Sequence, residues 1–218
     1  MLWDLDGTLV DSENYHWLAW RDTMAAEGIT LTFEQFRATF GWRNDAILQR
    51  WLGADADPGR MDRIAEAKEE CYRRLVRSSG LSALPGAAEW VRRLNGEDWA
   101  QAVASSAPRL NIEVVLEAIG LADQFQATAS AEDVEKGKPD PQVFLVAASR
   151  LGVPPARAIV VEDAAAGIEA ARRAGMRSIA VVHEGKHLPA NLVVHSLKDL
   201  PSGTFADLLD GQAGGGLS

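Results

Sequence analysis

Residues 3–12 read WDLDGTLVDS, and this stretch decides the fold. Two apolar residues, Leu2 and Trp3, lead into Asp4, and Gly7 directly follows Asp6. This pattern predicts the end of a β-strand that runs into a tight glycine turn. Ordinary strands have about five residues, so a strand this short favours a natural chain that begins before Met1. The stretch therefore predicts a first strand with two carboxylates just beyond its carboxyl end.

The sequence that follows has the periodicity of α-helices. From Ser12 to about Ser79, apolar residues recur at helical spacing, as Trp17, Trp20 and Met24 do at i, i+3 and i+7. This segment contains no convincing strand, and its position directly after the first strand marks it as an insertion. We therefore expect a helical cap.

Beyond Pro85-Gly86, strand and helix patterns alternate. The expected helices cover 87–94, 109–119, 141–151 and 165–174, and the expected strands cover 99–105, 125–129, 158–162 and 178–182. Such alternation is typical of a parallel sheet with helices on both faces. The prediction is an α/β fold.

The expected domain organisation follows from these patterns. Residues 1–11 and 82–200 form a Rossmann-like catalytic core, and residues 12–81 form the inserted α-helical cap. Residues 201–218, which include three consecutive glycines, form a flexible tail.

Composition excludes several classes of protein. The formal charge of −9 argues against a nucleic-acid-binding surface or an anionic membrane partner. No apolar run approaches the ~20 residues of a membrane span, and the N-terminus lacks the pattern of a signal peptide. The single cysteine, Cys71, permits no internal disulfide. We expect a soluble, cytoplasmic protein.

Four polar clusters follow predicted strands, where open α/β sheets bind ligands. They are Asp4 with Asp6, Ser105 with Ser106, Lys138, and Glu162 with Asp163. Each has a structural interpretation when taken singly, since an Asp after a strand often caps a helix and a loop lysine is often solvated. Together they suit phosphoryl transfer, with carboxylate oxygens for Mg²⁺ and Lys138, Thr8 and Ser105 for the phosphoryl oxygens.

Four segments carry a family resemblance, namely WDLDGTLVDS, VASSA, GKPDP and VVEDAAAGIEAA, which begin at residues 3, 103, 137 and 160. In this order, each after a strand, they resemble the four motifs of haloacid dehalogenase-type phosphatases. The helical block resembles the small cap of that superfamily's first subfamily. The resemblance implies a Mg²⁺-dependent phosphatase that acts on a small phosphorylated metabolite, and it favours a monomer.

By this resemblance, Asp4 is the nucleophile that forms a phospho-aspartate, and Asp6 is the general acid and base. Ser105, with Ser106 and Thr8 nearby, and Lys138 would bind the phosphoryl group. Four residues would supply or surround the Mg²⁺ ligands: Asp4, the backbone carbonyl of Asp6, Glu162 and Asp163. Carbon–halogen hydrolases of the superfamily lack the second aspartate, so Asp6 favours a phosphate substrate.

The cap resembles that of β-phosphoglucomutase and its phosphatase relatives. By that resemblance four cap residues, His16, Trp42, Arg43 and Lys68, would contact substrate. For His16 the alternative is packing, and for Lys68 it is a solvated place in the charge run Glu66–Glu70.

Three functions stay open at this point. Hydrolysis of a small sugar phosphate is preferred, because Ser12 and Pro108-Arg109 replace residues typical of the mutase and the loop carrying Arg43 is one residue shorter. Interconversion of glucose 1-phosphate and glucose 6-phosphate is the alternative. A non-catalytic phospho-receiver is remote, since it would need neither the cap nor Asp6.

Overall fold

The computed structural model describes residues 1–182 and 188–211. Six strands form the core sheet: β1 (Leu2–Trp3), β2 (Ala102–Ala104), β3 (Ala127–Ala129), β4 (Ile159–Glu162), β5 (Arg177–Val181) and β6 (Leu192–Val194). Their order is β3-β2-β1-β4-β5-β6, and every neighbouring pair is parallel. The predicted α/β class is confirmed, although the sequence patterns did not identify β6.

The short strand β1 lies at the centre of the sheet. Leu2 pairs with Ala102 of β2 on one side and with Val160 of β4 on the other. The chain leaves β1 between two strands that come much later in the sequence, which is the switch point where parallel sheets bind ligands. The carboxyl ends of β1, β2 and β4 therefore meet at one place.

Helices cover both faces of the sheet. One face packs against α5 (Ala87–Gly96), α6 (Arg109–Ala118) and α9 (Thr204–Asp210), and the other against α7 (Gln142–Arg150) and α8 (Ala165–Arg173). Side chains alternate along a strand, so Trp3 joins the first layer and Leu2 the second. Both are fully buried, which explains how two residues anchor a central strand.

Four helices precede the alternating part of the chain: α1 (Glu13–Ala26), α2 (Phe33–Arg37), α3 (Asn44–Leu52) and α4 (Pro58–Ser79). They share an apolar cluster of their own that includes Trp20, Phe36, Leu48 and Ile64. The last turns of α4 leave this cluster, and Tyr72 and Val76 join the main core. The long helix α4 thus links the two clusters.

The expectation of a flexible tail from residue 201 is wrong for residues 204–210. They form α9, and Phe205 packs edge-on to Trp90 at a centroid distance of 5.0 Å. Phe205 and Leu208 are buried. They cover the sheet face beside Trp3, and removing this apolar surface from water stabilises the helix there. The remainder of the expected tail, 212–218, lies outside the described residues.

Within 1–182 and 188–211, no helix has both the length and the apolar character required to cross a membrane.

Candidate active site

The turn after β1 brings the first two carboxylates into the site. The Asp4 amide donates to the Val161 carbonyl at 3.0 Å, which holds the turn against β4. Gly7 adopts φ +85°, and a Cβ there would lie 2.2 Å from Asp163 Oδ2. Only glycine combines this backbone conformation with so close an approach, so Gly7 allows the loops after β1 and β4 to converge.

Lys138 lies between two buried carboxylates. Its ammonium donates to Asp4 Oδ1 at 2.5 Å and to Glu162 Oε2 at 2.7 Å, and all three side chains are less than 10% exposed. Gly167, in the first turn of α8, makes room for this arrangement, since a Cβ there would lie 2.1 Å from Glu162 Oε2. The sequence therefore places one ammonium and two carboxylates in largely buried positions.

The negative charges around Lys138 outnumber the positive ones, and a further cation would stabilise them. Burial raises the pKa of Asp4 well above its usual value, and the nearby carboxylates of Glu162 and Asp163 raise it further. Burial alone would lower the pKa of Lys138, but Asp4 and Glu162 together raise it. One ammonium faces three carboxylates, so a bound cation would favour the ionised form of Asp4.

Asp4, Glu162 and Asp163 could hold that cation. Their carboxylate oxygens include a set in which all lie within 4.8 Å of one another, and oxygen ligands are those that Mg²⁺ prefers. The donor set fits Mg²⁺. The Asp6 side chain does not join this group.

The Asp6 side chain points to the cap instead. It accepts a hydrogen bond from the Ser12 hydroxyl, and its Oδ1 lies 3.2 Å from His16 Nε2. His16 Nδ1 lies 3.0 Å from Lys68 Nζ. Because an ammonium can only donate, Nδ1 accepts, and Nε2 carries the proton that it donates to Asp6.

The chain of hydrogen bonds that runs from Asp6 through His16 and Lys68 ends on Glu69. Lys68 Nζ donates to Glu69 Oε1 at 2.8 Å, and the Lys68 side chain is only 3% exposed. Burial alone would raise the pKa of Asp6, but His16, Ser12 and Lys68 hold it below its usual value. Burial alone would also raise the pKa of Glu69, but Lys68, His16 and Asn44 lower it. Both groups are therefore carboxylates in this arrangement.

Three hydroxyl residues were predicted to bind the phosphoryl group. Ser105 is buried, and its Oγ accepts the Ala107 amide at 3.0 Å, while Ser106 lines the cleft beside Asp4. Thr8 is fully buried, and its hydroxyl has no hydrogen-bond partner among the described residues. A buried hydroxyl without a partner is rare, which makes Thr8 a candidate donor to a bound group.

Two connected spaces lie between sheet and cap. The larger, about 320 Å³, contains Asp4, Asp6, Lys138, Glu162 and Asp163 in its wall. The smaller, about 50 Å³, is lined largely by cap residues, including His16, Trp20, Phe36, Phe40 and Glu69. Asp6, Trp42 and Ser106 belong to both walls, so the smaller cavity begins where a leaving group would start.

The cap residues expected to contact substrate lie in different surroundings. His16 and Trp42 line the small cavity, and Trp42 is 48% exposed. Lys68 is buried behind His16, so its interpretation as a solvated charge is wrong. The Arg43 Nη1 atom instead donates to the carbonyls of Ala131 and Val134, at 2.9 Å each, in the core.

Sequence reasoning did not identify Glu69 as a site residue and treated it as part of a solvated charge run. Glu69 Oε2 accepts from Asn111 of α6, and Oε1 accepts from Asn44 at 2.7 Å. Spacing could have indicated the burial of its neighbour Lys68, because Ile64, Lys68, Tyr72 and Val76 recur every four residues on one helix face. All four are buried.

Comparison with known proteins agrees with this architecture. A family model described as haloacid dehalogenase-like hydrolase matches residues 1–181. Hexitol phosphatase B of Escherichia coli O157:H7 is 32% identical over 216 residues, covering 95% of each chain. β-Phosphoglucomutase of Bacillus subtilis strain 168 is 32% identical over 208 residues, which is 92% of this chain and 90% of the relative.

A solved structure shows the same fold. The crystal structure of β-phosphoglucomutase from Clostridium difficile superimposes with a TM-score of 0.85 at 29% identity and covers 96% of both chains. The chain belongs to the haloacid dehalogenase-like hydrolases, and it is an enzyme, a phosphatase or a phosphomutase. The non-catalytic receiver does not fit this family.

Proposed function

We propose that the enzyme is a Mg²⁺-dependent phosphatase that hydrolyses a small sugar phosphate through a phospho-aspartate on Asp4. The observation that carries this proposal is the position of Asp4, whose carboxylate meets both the Lys138 ammonium and the oxygen cluster of Glu162 and Asp163. A nucleophile placed there attacks a phosphorus atom whose other oxygens face positive charge.

Asp4, Glu162 and Asp163 would hold Mg²⁺, with the Asp6 carbonyl as a further ligand. The ion would supply charge neutralisation for the transferring phosphoryl group and for the crowded carboxylates. Lys138 would bind a phosphoryl oxygen, and Ser105, Ser106 and Thr8 would donate hydrogen bonds to the others.

In the first half-reaction, an Asp4 oxygen bonds to phosphorus while the bond from phosphorus to the ester oxygen breaks. Asp6 gives its proton to that departing oxygen. The dianionic phosphoryl group raises the pKa of Asp6 by charge repulsion and so favours the protonated form needed for this step. Covalent catalysis divides one difficult displacement into two easier ones.

In the second half-reaction, water attacks the phosphorus of the acyl phosphate, and Asp6 accepts the proton of the water. The bond to Asp4 breaks, and inorganic phosphate leaves with the nucleophile restored. The Asp6 carboxylate that His16 and Ser12 stabilise in the present arrangement is the form that this step requires.

The cap must open to admit substrate. The small cavity beside Asp6 has about 50 Å³, well below the ~300–1,000 Å³ of usual small-ligand sites, so a sugar leaving group does not fit there in the present arrangement. Closure then excludes water during the first step. We expect the radius of gyration to fall when Mg²⁺ and a phosphate analogue are added.

The alternative is a β-phosphoglucomutase, which the similarity to the Bacillus subtilis enzyme keeps open. A mutase must protect its phospho-aspartate from water while an intermediate turns around, whereas a phosphatase lets water in. The two activities differ in their products, so one assay separates them.

The test is phosphate release from a panel of sugar phosphates, with Mg²⁺ or with EDTA, by the wild type and by Asp4→Asn. We expect release that needs Mg²⁺ and that Asp4→Asn abolishes, while the exposed Asp123→Asn variant serves as a matched control and keeps activity. Full activity of Asp4→Asn would refute the mechanism. Formation of glucose 6-phosphate from β-glucose 1-phosphate, primed by the 1,6-bisphosphate and without phosphate release, would establish the mutase.

A further inference from the structure

We propose that the enzyme selects phosphate monoesters whose leaving group carries hydroxyl groups and no second anion. This inference rests on the proposed function and concerns the far end of the substrate, beyond the ester oxygen. It follows from the charges around the small cavity and from the partners to which the nearby cations are already bonded.

The wall of the small cavity is aromatic and acidic. Five of its residues carry aromatic rings: His16, Trp20, Phe36, Phe40 and Trp42. Its acidic residues in the described chain are Asp6 and Glu69. Neither group supplies a positive charge: Glu69 is paired with Lys68, and Asp6 is protonated when it acts as the acid, so this wall offers no free cation to a second phosphate.

Lys68, which contacts three residues of the cavity wall, is already neutralised. Lys68 Nζ is bonded to Glu69 and His16 and lies 5.2 Å from the Trp20 ring centroid. The side chain is buried at 3% exposure, so a phosphate would have to displace Glu69 to reach it. Exchanging a buried carboxylate partner is costly, because the displaced charge would remain without a partner.

Arg43 is directed away from the cavity. Its guanidinium donates to the carbonyls of Ala131 and Val134, and its Nε lies 3.3 Å from Asp45 Oδ1. The bare Cα of Gly137 accommodates its stem, since a Cβ there would lie 2.9 Å from Arg43 Cδ. Arg43 therefore joins the cap to the core, and its Nη1 and Nε donors already have partners.

A basic residue beside the cavity wall is also engaged. Arg109 follows Pro108, which lines the small cavity, but its guanidinium pairs with both oxygens of Asp133 at 2.9 and 2.7 Å. The guanidiniums of Arg43 and Arg109 thus both have partners in the core.

The outer groove extends the same charge pattern. This groove of about 420 Å³ shares Asn44, Ser106 and Pro108 with the small cavity, so it continues the path of a longer substrate. Its charged residues in the described chain are Asp45, Asp62, Glu132 and Arg43. Three carboxylates against one paired guanidinium give a negative potential where a second phosphate would lie.

The test compares fructose 1-phosphate with fructose 1,6-bisphosphate at low ionic strength. Whichever phosphate of the bisphosphate is hydrolysed, the other lies on the leaving-group side. We expect kcat/KM for phosphate release to be at least about tenfold higher for the monophosphate, because like charges at close range disfavour binding. Equal or faster release from the bisphosphate would overturn the inference while leaving the phosphatase proposal intact.

Charge reversal at the groove gives a second readout. In Asp62→Lys, kcat/KM for the bisphosphate relative to the monophosphate should rise about threefold or more, and the effect should fade as salt is added. Glu117→Lys, an equally exposed reversal on α6 outside the groove, should leave this ratio unchanged. An unchanged ratio in Asp62→Lys, or an equal rise in Glu117→Lys, would contradict the inference.

Arg43→Ala separates a cap–core contact from a phosphate ligand. If Arg43 only joins the cap to the core, its loss should change kcat/KM for both substrates by the same factor. A selective loss of bisphosphate turnover would mean that Arg43 binds the second phosphate, and the proposal would fail. Absence of any phosphate release by the wild type would instead refute the proposed function.

Discussion

Replacing Gly167 by alanine should destabilise the enzyme, although the same change in most helices is favourable. Gly167 lies in the first turn of α8, and a Cβ there would lie 2.1 Å from both Cδ and Oε2 of Glu162. Glu162 is only 1% exposed and its Oε2 is bonded to Lys138 at 2.7 Å, so its carboxylate cannot move away from an added methyl group without disturbing that ion pair. The added methyl group must push Glu162 off Lys138.

The magnitude follows from two opposed effects. Alanine normally stabilises a helix by about 0.5–1 kcal/mol relative to glycine. Removing one partner of a buried ion pair costs about 3–5 kcal/mol, and Lys138 keeps its second partner, Asp4. The free energy of unfolding should therefore fall by about 2–4 kcal/mol, which lowers Tm by ~4–16 °C in a chain of this size.

The assay is urea denaturation followed by circular dichroism, with phosphate release measured on the same preparations. Gly96→Ala is the matched control, because Gly96 ends helix α5 and a Cβ added there would meet no neighbouring atom within 4 Å. We expect Gly96→Ala to be neutral or slightly stabilising. If Gly167→Ala were as stable as Gly96→Ala and retained full activity, the close approach to Glu162 and its link to Lys138 would be refuted.

Three further outcomes are expected. Arg150 bonds to Asp133 and holds the pKa of that carboxyl well below its usual value, so Asp133 binds a proton in the unfolded chain before it does so in the folded chain as pH falls. The free energy of unfolding lost in Asp133→Asn, measured in urea, should therefore be constant above pH ~5 and shrink below ~4. Phe205→Ala should lower the free energy of unfolding by about 3–5 kcal/mol, whereas a flexible tail would give no change. Asp6→Asn should reduce kcat/KM about 10²–10⁴-fold for alkyl phosphates and much less for p-nitrophenyl phosphate, whose leaving group needs no proton; equal losses would contradict a general acid.

Local patterns predicted most of the core, because strand and helix periodicities are properties of short segments. The strand expected at 99–105 is observed at Ala102–Ala104, and the helix expected at 165–174 is observed at Ala165–Arg173. The strand β6 and helix α9 escaped detection, since Leu192–Val194 is only three residues long and α9 is about two turns before a glycine-rich end. The formation of these two elements depends on packing against the sheet.

The polar clusters were also accessible from the sequence. In a parallel sheet all carboxyl ends point to one edge, so Asp4, Ser105 and Glu162 had to be neighbours once their strands were adjacent. The roles assigned to them remain proposals. Their spacing along the chain could not reveal that Lys138 bridges Asp4 and Glu162, or that Gly7 and Gly167 make room for the carboxylates.

The sequence by itself determined the parallel α/β core, the helical insertion and the edge of the sheet at which the acidic residues gather. Only the tertiary structure decided which charges are free. Arg43 and Lys68 carry the same formal charge, but Arg43 is bonded to core carbonyls, whereas Lys68 is bonded to Glu69 and His16. The physical reason is that a charge acts through its partners and its burial, and both are set by contacts between residues far apart in the chain.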